Sequence, residues 1–157
     1  MALRRRLPLL LLAALVLPAC GEDTGTLPDV PRAAIMVTVE PNPVIGVQNL
    51  VTGAVSAAYR ITITEMNGLG GEVNFVSSAV FDPLTGAQVA LNYFDNADLK
   101  VFVGEDRIEP LGSLVVPQTI NYILPDLARV ATLTVNVQFK DDKSNLLNES
   151  VLVRIAE

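Results

Sequence analysis

No histidine occurs anywhere in this chain, and that one absence removes the usual general base near neutral pH and the commonest metal ligand. Ser-His-Asp and Cys-His hydrolysis and every histidine-based zinc site are excluded with it. Only carboxylate, lysine, tyrosine or serine chemistry is left open. Tryptophan is also absent, and aromatic residues make up only 5% of the sequence. A single cysteine, Cys20, rules out an internal disulfide, so any folded domain relies on its core alone. The longest apolar run, Leu7 to Ala19, is 13 residues, short of the ~20 that cross a bilayer as a helix.

What is present begins with a basic cluster, Arg4-Arg5-Arg6, followed by that short apolar run and small residues. This is the layout of a secretory signal, with the arginines favouring the cytoplasmic side. Leu17-Pro18-Ala19-Cys20 resembles the lipobox of bacterial lipoproteins: an aliphatic residue, a variable one, a small one, then cysteine. The resemblance implies a diacylglyceryl group on the Cys20 thiol and cleavage before it. Residues 1–19 are then a signal peptide and residues 20–32 a lipidated cysteine and flexible tether. Two or more acyl chains give stable membrane attachment where one is marginal. Gly21 follows the cysteine where aspartate would favour inner-membrane retention, so the resemblance points to the outer membrane of a cell envelope.

Without residues 1–19 the chain keeps 8 basic and 17 acidic residues, a net charge of −9. A surface of that sign repels phosphate backbones and excludes nucleic acid as the expected partner. Gly21 to Arg32 is polar and rich in glycine and proline; fully stretched, its 12 residues reach about 40 Å. Residues 33–157 have the size of one domain.

From Ala33 onward the pattern is of strands and turns. Ile35 to Val39 is a β-rich run closed by Pro41-Asn42-Pro43. Tyr59, Ile61 and Ile63 alternate with Arg60, Thr62 and Thr64, the period of a half-buried strand. Asn67 to Gly71 and Asp82 to Gly86 read as turns. Between them Val73 to Phe81 reads as a strand with Val73, Phe75, Ala79 and Phe81 on the core face. Leu99 to Val103 and Ser113 to Val116 read as shorter strands. Ala131, Leu133, Val135, Val137 and Phe139 alternate with polar residues, and Val151, Val153 and Ile155 return in phase after the loop Lys140 to Asn145, making a closing hairpin. A short helix fits near Asp95–Asp98 or Pro125–Ala128.

Seven to nine short strands with frequent turns predict an all-β domain, a sandwich or barrel. Val37 to Pro43, Tyr59 to Thr64 and the closing hairpin resemble bacterial immunoglobulin-like or fibronectin type III-like envelope modules. That resemblance implies a single immunoglobulin-like antiparallel β-sandwich over residues 33–157, without the cysteine pair and tryptophan of antibody domains. It implies an adhesive, spacer or binding role only loosely, because the fold hosts many functions.

Three acidic clusters, Glu105-Asp106, Asp141-Asp142 and Asp95 with Asp98, could supply oxygen ligands to calcium, yet Asp and Asn also favour turns; the expectation is turns, with no metal and no cofactor. Asn148-Glu149-Ser150 matches a glycosylation pattern inside an expected strand and is read as coincidence. Tyr93, Phe94 and Tyr122 lie beside polar sequence and, if exposed, could anchor a partner; the alternative is that they plug the ends of the core. No catalytic constellation is visible. The expected function is a membrane-anchored, non-enzymatic protein-binding or structural module with an envelope protein as partner. The alternatives are a glycan or small-ligand binder, recognisable by a concave aromatic-lined pocket, and a protease inhibitor using the loop from Gly104 to Gly112.

Overall fold

The computed structural model describes residues 31–124 and 130–156. The lipobox, Cys20 and the proposed helix at Pro125–Ala128 lie outside the described residues.

One sheet is built on β3 (Val55–Glu65). On one side it pairs along most of its length with β7 (Ser113–Tyr122). On its other side lie β1 (Ile35–Glu40) and β2 (Val44–Gln48), both antiparallel to it. The second sheet runs β9 (Leu146–Ala156), β8 (Val130–Asp141), β4 (Gly71–Phe81), β5 (Gln88–Asp95), and the two-residue β6 (Arg107–Ile108) pairs with the start of β4. The sheets are joined through β2, where Val44 and Ile45 run parallel to Ile155 and Ala156 before Gly46–Gln48 return to β3. Pro41 and Pro43, each after a cis peptide bond, sit at the step between β1 and β2. The two sheets pack face to face as an all-β immunoglobulin-like sandwich.

The alternation in the sequence explains the core. Tyr59, Ile61 and Ile63 of β3 are buried, as are all five expected inward residues of β8, from Ala131 to Phe139. They meet Leu114, Val116 and Ile120 of β7 in one cluster. Each Val, Leu, Ile or Phe among them contributes about 1.5–3 kcal/mol on burial.

Two expectations are corrected. In β4 Val73 and Ala79 are buried as expected, but the core face continues as Val76, Ser78 and Val80, while Phe75 and Phe81 are only partly buried. Asn74 is an extra residue between Val73, opposite Phe139, and Phe75, opposite Gln138; this bulge inverts the phase of the strand that follows. The second correction concerns Leu99 to Val103, expected as a strand. Asn96–Phe102 is the helix α1, with Val103 as its C-cap. Asp95 caps it: its carboxylate accepts from Asp98 N at 2.9 Å, and Asp98 accepts in return from Asp95 N at 3.3 Å. Leu99 alone is buried from this helix, so its apolar run serves a helix with a narrow inner face. The strand β5, just before it, has no clean alternation and was not expected.

Four carboxylates organise the turns. Glu65 and Asp141 are buried at one end of the sandwich, Asp82 is buried in the β4–β5 turn, and Asp142 is exposed. Burial raises the pKa of Glu65, but hydrogen bonds from four backbone N–H groups outweigh this and hold it below its usual range. Asp141 balances burial in the same way against bonds from Asn145, Ala33 and Lys143. Asp82 is lowered mainly by Leu84 N–H and the Thr85 hydroxyl, and Asp142 mainly by the Arg107 guanidinium. Because the folded-state values lie below those of the unfolded chain, the unfolded chain binds more protons in the window between the two. The stabilisation is therefore complete above the ordinary carboxylate range, about pH 4, and is lost as pH falls further through the folded-state values. Urea midpoints measured from pH 7 to pH 2 are expected to hold down to about pH 4.5 and then fall steeply. A flat profile would show that these bonds do not favour the ionised forms.

Candidate functional site

The acidic clusters resolve into structural roles. Asp95 and Asp98 cap α1. Asp106 pairs with Lys100 at 3.0 Å, tying the helix to the loop after it. Asp142 takes Arg107 in a two-pronged bond at 2.9 and 2.8 Å, and Glu109 accepts from Arg107 Nε at 3.1 Å. These partners, Asp142 first, raise the Arg107 pKa. Among the described residues no group of three or more carboxylate or thiol side chains is placed to hold a metal ion. The segment from Gly104 to Gly112 is tied down as well, with Ile108 buried and β6 paired to β4.

The concave feature lies elsewhere, where the two sheets part between β5 and β7. Among the described residues both strands have one unpaired edge: β5 pairs only with β4, and β7 only with β3. A groove of about 890 Å³ opens there. It is lined by Leu91, Tyr93 and Phe94 from β5, Phe102 from α1, Pro117, Gln118 and Thr119 from β7, Arg60 of β3 and Glu40 of β1.

Tyr93 is 56% exposed and stacks on Phe75 with ring centroids 5.5 Å apart. Phe94, partly buried, rests on Phe102 at 5.3 Å, and Phe102 is 55% exposed. Tyr93 and Phe94 are thus brought together at the groove. Tyr122 is not: it is 3% exposed and belongs to the core, because β7 alternates and places it inward.

At the groove the Tyr59 hydroxyl donates to Gln118 Oε1 at 2.9 Å. Burial pushes the Tyr59 pKa up to about 12, against a smaller opposing effect of the Ser78 hydroxyl, so the phenol keeps its proton and stays a donor. Gln118 Oε1 accepts that bond, and Gln118 Nε2 is buried and has no hydrogen-bond partner among the described residues. Across the groove Asn92 Nδ2 donates to the Thr119 carbonyl at 3.1 Å. Phe102, Leu91, Tyr59 and Gln118 were not expected as site residues. Phe102 stands three residues after the buried Leu99, and helical spacing there was its only local signal.

Together the fold and the groove define an immunoglobulin-like sandwich with an open aromatic cleft at one sheet edge. No protein-family model and no curated protein matches the chain. Among solved structures it is similar to the Northeast Structural Genomics Consortium target SoR45, with a TM-score of 0.56 at 13% identity over 79% of this chain and 85% of that one. A Bordetella pertussis protein described as ApaA superposes with a TM-score of 0.57 at 12% identity, covering 80% of this chain and 93% of its own. At such identities the likeness is one of fold.

Proposed function

We propose that this chain is a lipid-anchored envelope protein whose sandwich is a non-enzymatic binding module, with the groove between β5 and β7 as its binding surface. The observation that carries the reading is the exposure of Tyr93, Phe102 and Leu91 around one cleft bounded by strand edges that are unpaired among the described residues. Aromatic side chains clustered in a concavity are what interface hot spots are built from. The anchor rests on Leu17-Pro18-Ala19-Cys20 and the basic–apolar segment before it. Acyl chains on Cys20 would confine the groove to a thin layer above the membrane and raise its local concentration there.

Both halves are tested in one strain set. Cys20→Ala is expected to move the protein from the membrane to the soluble fraction; full membrane retention overturns the anchor. Crosslinking in intact envelopes followed by affinity capture is expected to yield a reproducible partner with the wild-type chain. Capture should fall to background with the double substitution Tyr93→Ser and Phe102→Ser at unchanged protein level. Undiminished capture by that variant moves binding away from the groove.

A further inference from the structure

Resting on the reading of the groove as a binding surface, the geometry points to its occupant: an uncharged, extended peptide segment that lies along the β5 and β7 edges and offers a main-chain carbonyl to Gln118 Nε2. Three observations converge on this chemistry.

The first is the orphaned donor. Gln118 is 95% buried by its 5% exposure, with its Oε1 accepting from the Tyr59 hydroxyl at 2.9 Å. The Nε2 donors are left unmatched at the groove. Buried polar groups without partners are rare enough that each calls for an explanation, and here a ligand oxygen supplies one.

The second is the pair of free edges. A strand edge presents main-chain N–H and C=O groups in alternation, and an extended peptide is the ligand whose own backbone repeats in the same way. The Asn92–Thr119 bond, at 3.1 Å, already shows the demand, because a side-chain amide there takes the place of the N–H a neighbouring strand would offer. Pro117 has no N–H to give, which directs pairing on β7 toward Thr119 and beyond. A peptide carbonyl reaches Nε2, itself closed from solvent, as the Asn92 bridge yields to it. A sugar ring could lie on Tyr93 or Phe102 but would leave both edges unpaired.

The third is charge. Arg60 and Glu40 are directly opposite in the register of β3 and β1 and, among the described residues, are the only charged ones lining the groove, one of each sign. A net-neutral cleft in a chain that carries 17 acidic against 8 basic residues after position 19 matches an uncharged partner. Leu91, Tyr93, Phe94 and Phe102 then receive alternate apolar side chains of the bound segment.

The test pans a random-peptide library against the full lipidated chain in detergent micelles and measures the enriched peptides by fluorescence anisotropy. Peptides without charged residues in their consensus are expected, with affinity falling about tenfold in Gln118→Met and again in Phe102→Ser. Gln118→Met removes only an unmatched donor and the acceptor for Tyr59, so its melting temperature and its circular dichroism serve as the control for folding. Enriched peptides that bind both variants as they bind wild type overturn the assignment, and so does a consensus rich in acidic or basic residues. If no peptide is enriched but a neutral oligosaccharide such as cellopentaose binds and is weakened by Phe102→Ser, the groove stands as a binding site and the peptide assignment falls. If neither probe binds, both fall.

Discussion

Glu65→Ala is expected to lower the unfolding free energy by about 4 kcal/mol, the largest loss of any single polar substitution in this domain. The carboxylate is 1% exposed and accepts from Asn67 N at 2.9 Å, Gly68 N at 2.7 Å, Leu69 N at 3.1 Å and Leu111 N at 3.0 Å. Alanine leaves those donors without an acceptor, and each buried orphan costs about 1–3 kcal/mol before relaxation. Leu111 has a further stake, since it sits at φ 59, a left-handed conformation that a leucine holds only when its surroundings enforce it. Glu65→Gln keeps a carbonyl acceptor and loses the charge, so a smaller loss of about 2 kcal/mol is expected. Urea denaturation of the three proteins at pH 7 checks the order; a loss below about 1 kcal/mol for Glu65→Ala would sink the account.

Gly71→Ala is expected to cost about 3 kcal/mol or to prevent folding, although its backbone has no positive φ. A Cβ there would run into the Lys140 carbonyl and lie 2.6 Å from Phe139 Cζ and 2.8 Å from Asp141 Cα. Two of those three atoms are backbone in the central β4–β8 ladder, where Gly71 pairs with Asp141, so neither can step aside without breaking register. Gly68, three residues earlier, needs glycine for a different reason, its φ of 74. Gly68→Ala should therefore cost only the left-handed penalty of about 1 kcal/mol. Thermal melts of both variants separate the two mechanisms: equal losses would mean that the close approach at Gly71 is relieved by an unforeseen shift.

How much of this was legible in the residues depends on how local each feature is. The β8–β9 hairpin and the inward face of β3 follow from period-two alternation that both neighbours enforce, and they could be read directly. The phase of β4 could not, because a bulge at Asn74 is defined by which residue of β8 stands opposite and leaves no mark in the strand's own sequence. β5 is an edge strand whose exposure alternates from Ala90 to Asp95, but polar Asn92 stands on its half-buried face and apolar Leu91 and Tyr93 on its exposed one, so its apolar residues never fall into a clean pattern. The start of α1 was legible at Asp95–Asp98, its capping pair, but its extent was hidden by the run from Leu99 to Val103, which is apolar enough for a strand. Tyr93 and Phe94 could be nominated for the groove as aromatics beside polar residues. Its floor could not be, since Tyr59 and Gln118 are 59 positions apart and meet only because β3 and β7 pair in one particular register.

The way the domain begins also bears on how it would carry load. Ala33 N donates to Asp141 Oδ2 at 3.2 Å, and two residues later β1 enters its antiparallel ladder with β3, from Ile35 opposite Glu65 to Glu40 opposite Arg60. A force drawn from the N-terminal side while the groove is held pulls β1 along its own length. The rungs of that ladder are then loaded together, in shear, instead of opening one after another from an end. Asp141 spreads part of the same load to β8, at the centre of the other sheet. A domain tugged between a membrane and a bound partner would, in this geometry, resist as a block.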